Sequence, residues 1–317
     1  MSLPYGENLY GNDSSLILVL IRWGRIMYNI ELEKKGIRKG NKEISFAELI
    51  RTIRPYETDI VYIGGSLVEG QIELLSSGMG NSLSDLDVFI IRDHNNFERT
   101  DCVYDQFVKK TYFIDDIFDG VDVEVFDTDF INDLSKVLSC KKIDLASRTS
   151  NFFSDSLTNG GSYRLINSFL NRLRYSLCLY NKEKYNEVKN MIAFDRFLEI
   201  KKANQLVKID NLLPDIVGNI DANQLDVALY CLRELYFETL EYILAHENIF
   251  VDRGKWIILK FKNLVKQKRV YLDLWREYES IFLSDLSNVS EARMKIDFAT
   301  QMIQKTLEES LFAGGTI

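Results

Sequence analysis

Asp85 and Asp87 are the residues of this chain best placed to do chemistry. They lie in the run Ser84-Asp85-Leu86-Asp87-Val88-Phe89-Ile90-Ile91. They stand two apart at the mouth of an apolar stretch that reads as a β-strand. Strand side chains alternate, so both carboxylates project to one side. A second pair, Asp122 and Glu124, lies in Val121-Asp122-Val123-Glu124-Val125-Phe126, with carboxylates on one face and valines on the other. Upstream, the apolar run Ile60–Ile63 leads into Gly64-Gly65-Ser66. Glycines there let the backbone approach an anion closely, and the amides and the Ser66 hydroxyl are donors to it. Carboxylates hold hard divalent cations, and such a cation can bridge them to a phosphate held by the turn. Taken singly, each feature is ordinary: a Gly-Gly turn after a strand is common, and a carboxylate-bearing strand face can simply meet water.

These groups need a scaffold, and the pattern of apolar residues predicts one. Helical spacing covers about 14–35, ending before Gly36, and a short helix is expected over about 45–53. The strands are Ile60–Ile63, Val88–Ile91 and Val121–Phe126, with a further helix around 96–110. The polar stretch Ser147–Gly161 reads as a linker. From Ser162 onward, helical periodicity dominates, with breaks near Pro214–Gly218 and Asp252–Gly254. The expected fold is α+β: a domain over 1–150 with a small mixed sheet and helices, then an α-helical bundle domain over 151–317. Charge is uneven. Residues 115–133 hold eight carboxylates and no Lys or Arg, whereas 251–270 hold seven Lys or Arg and one Asp. Lys255 follows a glycine near an expected helix start, where phosphate is already favoured, and Lys262 lies seven residues on along the same face.

Several classes of function are disfavoured. A net charge of −8 and a pI near 5.1 oppose non-specific binding to long nucleic acid. The four cysteines lack CxxC spacing, which speaks against zinc and against a disulfide framework. With two histidines, His94 and His246, a His-based catalytic triad is not expected. The opening MSLPYGEN lacks a signal-peptide pattern, and Leu16–Ile21, broken by Arg22, is too short to span a bilayer. A cytoplasmic protein with reduced thiols is the expectation.

The motifs GGS, SDLDVFII and VDVEVF, in this order over about residues 58–130, resemble the DNA polymerase β-type nucleotidyltransferase superfamily. The similarity is greatest to the bacterial branch that includes antibiotic nucleotidyltransferases. The resemblance implies two Mg²⁺ ions, with Mn²⁺ as a substitute. Asp85 and Asp87 are implied as metal ligands, with Asp122 or Glu124 as the third. Gly64, Gly65 and Ser66 become the phosphate turn. Lys255, beside Trp256, and then Lys262 would reach the triphosphate from the helical half. The implied reaction moves a nucleoside monophosphate from an NTP, ATP being expected, to a hydroxyl of a small molecule or protein and releases pyrophosphate. One departure is the long spacing from Ser66 to Asp85, with the added length near Gln71–Gly78. Two rival readings are a nucleotide-binding regulatory or antitoxin-like module with little turnover, and a DxD glycosyltransferase. In the latter the apolar run normally precedes DxD, whereas here it follows.

Overall fold

In the computed structural model, the described residues are 30–33, 36–39, 42–80, 84–115, 117, 120–140, 143, 145, 161–282 and 289–313. Strands β1 (Ile30–Glu33), β2 (Gly36–Lys39) and β3 (Lys42–Ser45) form a small antiparallel sheet, and helix α1 (Phe46–Ile53) follows. Ser45 caps α1 by accepting the amide of Glu48. Next come β4 (Ile60–Gly64), α2 (Gly65–Ile72), β5 (Leu86–Arg92), α3 (His94–Glu98), β6 (Tyr104–Gln106), β7 (Lys109–Ile114), β8 (Val121–Asp127) and α4 (Thr128–Cys140). Beyond residue 160 lie α5 (Tyr163–Arg174), β9 (Leu177–Tyr180), α6 (Lys182–Met191), α7 (Phe194–Asp221), α8 (Leu225–His246), α9 (Gly254–Gln267), α10 (Leu272–Phe282) and α11 (Val289–Ala313). The architecture is mixed α+β with a helical C-terminal region, as the sequence pattern predicts.

The main sheet has six strands in the order β6-β7-β8-β5-β4-β9. Only β5 and β8 run parallel; their neighbours are antiparallel. Helices cover both faces of the central strands, which are apolar except where Asp87, Asp122 and Glu124 stand toward one end. One face buries Val61, Ile63, Val88, Ile90, Val123 and Val125 against Leu49, Leu67, Val68 and Phe97. The other buries Ile60, Tyr62, Phe89, Ile91 and Phe126 against Phe130, Phe169, Leu170 and Phe197. The helices α7 to α11 share a third core around Leu232, Tyr236, Ile243 and Phe261.

Three expectations change, and a fourth falls outside the described residues. Of the helix expected over 14–35, residues 14–29 and Lys34–Lys35 lie outside the described residues, and Ile30–Glu33 is a strand. The apolar–acidic alternation of IELE suits a two-residue period. The helix expected around 96–110 is the short α3 followed by the β6–β7 hairpin, turned at Phe107 with φ 42°. There β-branched and aromatic residues outweigh helix formers. Helix α7 runs through Pro214 without a break, so tertiary packing outweighs the lost backbone donor. The expected linker at 147–161 lies outside the described residues apart from Gly161. Among the described residues, no helix is long and apolar enough to cross a membrane.

Candidate functional site

Register brings the predicted groups together. Gly64 pairs with Asp87 across β4 and β5, and Asp87 pairs with Asp122 across β5 and β8. The Gly-Ser turn and both acidic strands therefore meet at one end of the sheet. Asp85 is exposed just ahead of β5, while Asp87, Asp122 and Glu124 are partly buried. Asp87, Asp122 and Glu124 share the sheet face covered by α4, α5 and α7.

The turn and the acid are fitted to each other. Gly65 has φ +76°, and a Cβ there would lie 1.9 Å from Asp87 Oδ2. Only glycine lets this backbone lie against that carboxylate. The chain returns at Gly80, also at positive φ, where a Cβ would lie 2.9 Å from the Ser66 carbonyl oxygen. The added length between turn and DxD is the end of α2 and a 3-10 turn at Leu74–Ser76. Asn263 of α9 donates to the carbonyls of Leu75 and Ser77, at 3.0 and 2.9 Å, so this segment docks the helical half. Deeper in the same junction, Lys260 of α9 pairs with Glu69 of α2, both almost fully buried. Glu69 also accepts from Ser76 Oγ (2.8 Å) and from Asn171 Nδ2 of α5 (3.1 Å).

The electrostatics separate the four acids. Burial pushes the Asp87 carboxyl up to about 6; Glu124 and Asp122 add to this, while Arg172 and Arg253 oppose it. Burial also raises Asp122, with Asp85 and Glu124 adding to it and the same two arginines opposing. Glu124 is tied to Lys109 of β7, at 3.1 Å. Between the two candidates for third ligand, Asp122 is the one in register with Asp87, and Glu124 is the one already paired. Hard oxygen donors converging on one sheet end fit Mg²⁺ or Mn²⁺. Among the described residues, these carboxylates do not reach the close ligand-atom spacing that His94, Asp127 and Asp129 show.

Lys255 and Lys262 are exposed, each with its ammonium over a tryptophan ring: Trp256 at 4.7 Å and Trp275 at 5.6 Å. Among the cations acting on Asp87 and Asp122 are Arg253, just before α9, and Arg172 on α5. Sequence reading passed over both. Arg172 borders the apolar stripe of Ile166, Phe169, Leu170 and Leu173, and only packing shows that it is buried.

A separate cluster occupies the other end of the same two strands. His94, Asp127 and Asp129 each offer a ligand atom within 4.8 Å of the others. They line a cavity of about 290 Å³ with Glu98, Asp105, Phe107 and Asp133. Asp122 and Asp127 are five residues apart on β8, roughly 16 Å along the strand, so this is not the DxD site. Its groups satisfy one another: His94 Nδ1 donates to Asp127 Oδ2 at 2.7 Å, and the Asp129 amide donates to Asp127 Oδ1 at 3.0 Å. The acidic segment 115–133 is thus divided between two ends of the sheet.

No protein-family model matches the sequence, and no curated protein matches it significantly. Among solved structures, the chain is similar to a nucleotidyltransferase-like protein from Exiguobacterium sibiricum. The TM-score is 0.43 at 9% identity, over 82% of this chain and 75% of that one, too distant to assign a function.

Proposed function

We propose that this chain is a metal-dependent nucleotidyltransferase, transferring a nucleoside monophosphate from an NTP, with ATP the first choice, to a hydroxyl of a small acceptor. The observation that carries the reading is the run of register pairs Gly64–Asp87–Asp122, with Gly65 opened to the Asp87 carboxylate. It sets a phosphate-binding turn against acidic ligands, as the resemblance to the polymerase β-type superfamily requires. The antibiotic-nucleotidyltransferase branch is the relative proposed, and the net charge of −8 favours a cationic or neutral small acceptor over nucleic acid.

Asp85, Asp87 and Asp122 would hold Mg²⁺. Bound there, the metal would neutralise phosphate charge and acidify the acceptor hydroxyl. The chain's own groups do the rest. The Gly65 and Ser66 amides and the Ser66 hydroxyl orient the phosphates. The acceptor oxygen forms a bond to the α-phosphorus while the bond to pyrophosphate breaks. Asp122, whose carboxyl burial raises from its ordinary value, is the candidate to receive the acceptor's proton. Arg253, exposed just before α9 and acting on both Asp87 and Asp122, is the candidate to meet charge on the leaving pyrophosphate. The contacts of α9 with α2 and the Leu74–Ser76 turn support a nucleotide site shared by sheet and helices.

The test is a pyrophosphate-release assay with each of the four NTPs, Mg²⁺ or Mn²⁺, and a panel of aminoglycoside, lincosamide and nucleoside acceptors, alongside melting curves with each nucleotide. Metal-dependent stabilisation by one NTP, lost in Asp87→Asn, is expected. Equal nucleotide binding in Asp87→Asn, or nucleotide binding indifferent to EDTA, would reject the reading.

A further inference from the structure

Arg172 is a permanent cation in an unusual position. Its residue is 6% exposed, and a guanidinium cannot shed its proton to escape burial. Nη1 donates to Ser168 Oγ, one turn back on α5, but Nε has no hydrogen-bond partner among the described residues. Among those residues no carboxylate lies within ion-pair distance of its nitrogens. The guanidinium carbon sits 5.4 Å from the centroid of Phe89. Phe89 follows Asp87 by two residues on the same face and is in register with Glu124. The charge therefore lies one residue layer beneath the DxD pair. Ser168 Oγ is also 3.5 Å from Asp252 Oδ2, which links Arg172 to the residue before Arg253.

The helix holding Arg172 has little room to withdraw. Asn167 donates to the Val251 carbonyl (3.0 Å) and Asn171 to Glu69 (3.1 Å), both within the junction. A Cβ on Gly64 would lie 3.2 Å from the Arg172 carbonyl oxygen, so α5 packs directly on the phosphate turn. Burying a charge without a contact partner costs several kcal/mol unless neighbouring charges offset it. Those available are Asp87, Glu124 and Asp252, and their pull holds the Arg172 guanidinium above its ordinary value although burial acts against it.

We propose that Arg172 is the resident counter-cation of the carboxylate cluster: a buried charge, fixed beside Phe89 and the Gly64 turn, that balances Asp87 and Glu124 through space and sets how strongly the site attracts a divalent ion. This rests on the reading of Asp85, Asp87 and Asp122 as metal ligands. Asp85, Asp87, Asp122, Glu124 and Asp252, set against Lys109, Arg172 and Arg253, leave two formal negative charges, which one divalent ion cancels. On this account a second ion would arrive with the phosphates of the NTP, because the cluster with one ion bound has no net charge left to retain it.

The experiment uses the full chain, with Mn²⁺ as probe, titrated by electron paramagnetic resonance, and melting curves with and without Mn²⁺. Arg172→Gln should melt lower without metal, bind Mn²⁺ about tenfold tighter, and recover most of the lost melting temperature at saturating Mn²⁺; one nearby charge acting on a dication is sufficient for this. Arg172→Lys should stay near wild type in both measurements. Adding Asp87→Asn to Arg172→Gln should raise melting without metal, since it removes the charge left unbalanced. An equal melting loss with and without Mn²⁺ at unchanged affinity, or weaker Mn²⁺ binding, overturns the proposal. If Arg172→Gln does not fold, recovery of a folded protein by added Asp87→Asn supports the proposal, and failure of that recovery overturns it. Should the wild type take up no Mn²⁺ while the added Asp87→Asn restores stability, the counter-cation role stands and the metal reading falls.

Discussion

Gly65→Ala is the sharpest probe of how the turn and the acid depend on each other. The new Cβ would lie 1.9 Å from Asp87 Oδ2, where real contacts stay beyond 3.0 Å, so the carboxylate must retreat by about 1 Å. The backbone at φ +76° adds roughly 1 kcal/mol of strain for a non-glycine residue. In a chain of this size that strain should lower the melting temperature by only about 2 to 4 °C. Activity should suffer far more, because a 1 Å displacement of a reacting group costs on the order of a hundredfold in rate. The assay is pyrophosphate release at saturating NTP and Mg²⁺, with Mn²⁺ affinity measured in parallel. A variant that keeps turnover within about threefold of wild type would refute the reasoning, since Asp87 would then not need the place glycine leaves it. A melting loss much larger than predicted would mean that the turn is structural first.

Three further outcomes are expected. Lys260→Met should destabilise the chain by about 3 to 5 kcal/mol in urea unfolding, because it strands a buried Glu69, and adding Glu69→Met should recover much of this. Asp87 titrates near 3.8 when unfolded and about 6 when folded, so folding takes up a proton in that window. Metal-free stability should therefore fall as pH rises from about 4 to about 6, and melting in EDTA should lose this slope in Asp87→Asn. Arg253→Ala should raise the Michaelis constant for NTP by about tenfold and Lys255→Ala by less; the reverse ranking, read from steady-state kinetics, would return the triphosphate contact to Lys255.

Much of the scaffold was legible because its signals were local. The alternation of VDVEVF and the run LDVFII define β8 and β5, and Ser45 with Glu48 marks the start of α1. The acidic positions followed from that alternation, and their meeting followed from parallel register, which sequence alone does not disclose. The hairpin of β6 and β7 was hidden because Asp101–Lys110 carries mixed periodicity and its turn relies on a non-glycine residue at positive φ. Lys255 stood out by charge and by its neighbouring Gly254, whereas Arg172 was masked within an otherwise apolar helix face. What distinguishes the two is burial, a property of long-range packing. Glu69 was hidden for the same reason: in GSLVEGQI it reads as a surface acid, yet its partner, Lys260, lies far along the chain.

Strand β9 gives the chain a temporal constraint. Its partner in the sheet is β4, and Val61 pairs with Tyr180, more than a hundred residues later. While the polypeptide emerges from a ribosome, β4 has an open edge and Tyr62 and Phe89 lack the α5 side chains that later cover them. The Gly-Ser turn and the acids exist by then, but Arg172 and Arg253 have not been made. The nascent first half is consequently a sticky, inactive intermediate with an unpaired strand edge. Under the proposed function, catalytic competence would arrive only when the late-synthesised helices dock, so a stalled or truncated product would be a substrate for chaperones rather than a partly working enzyme.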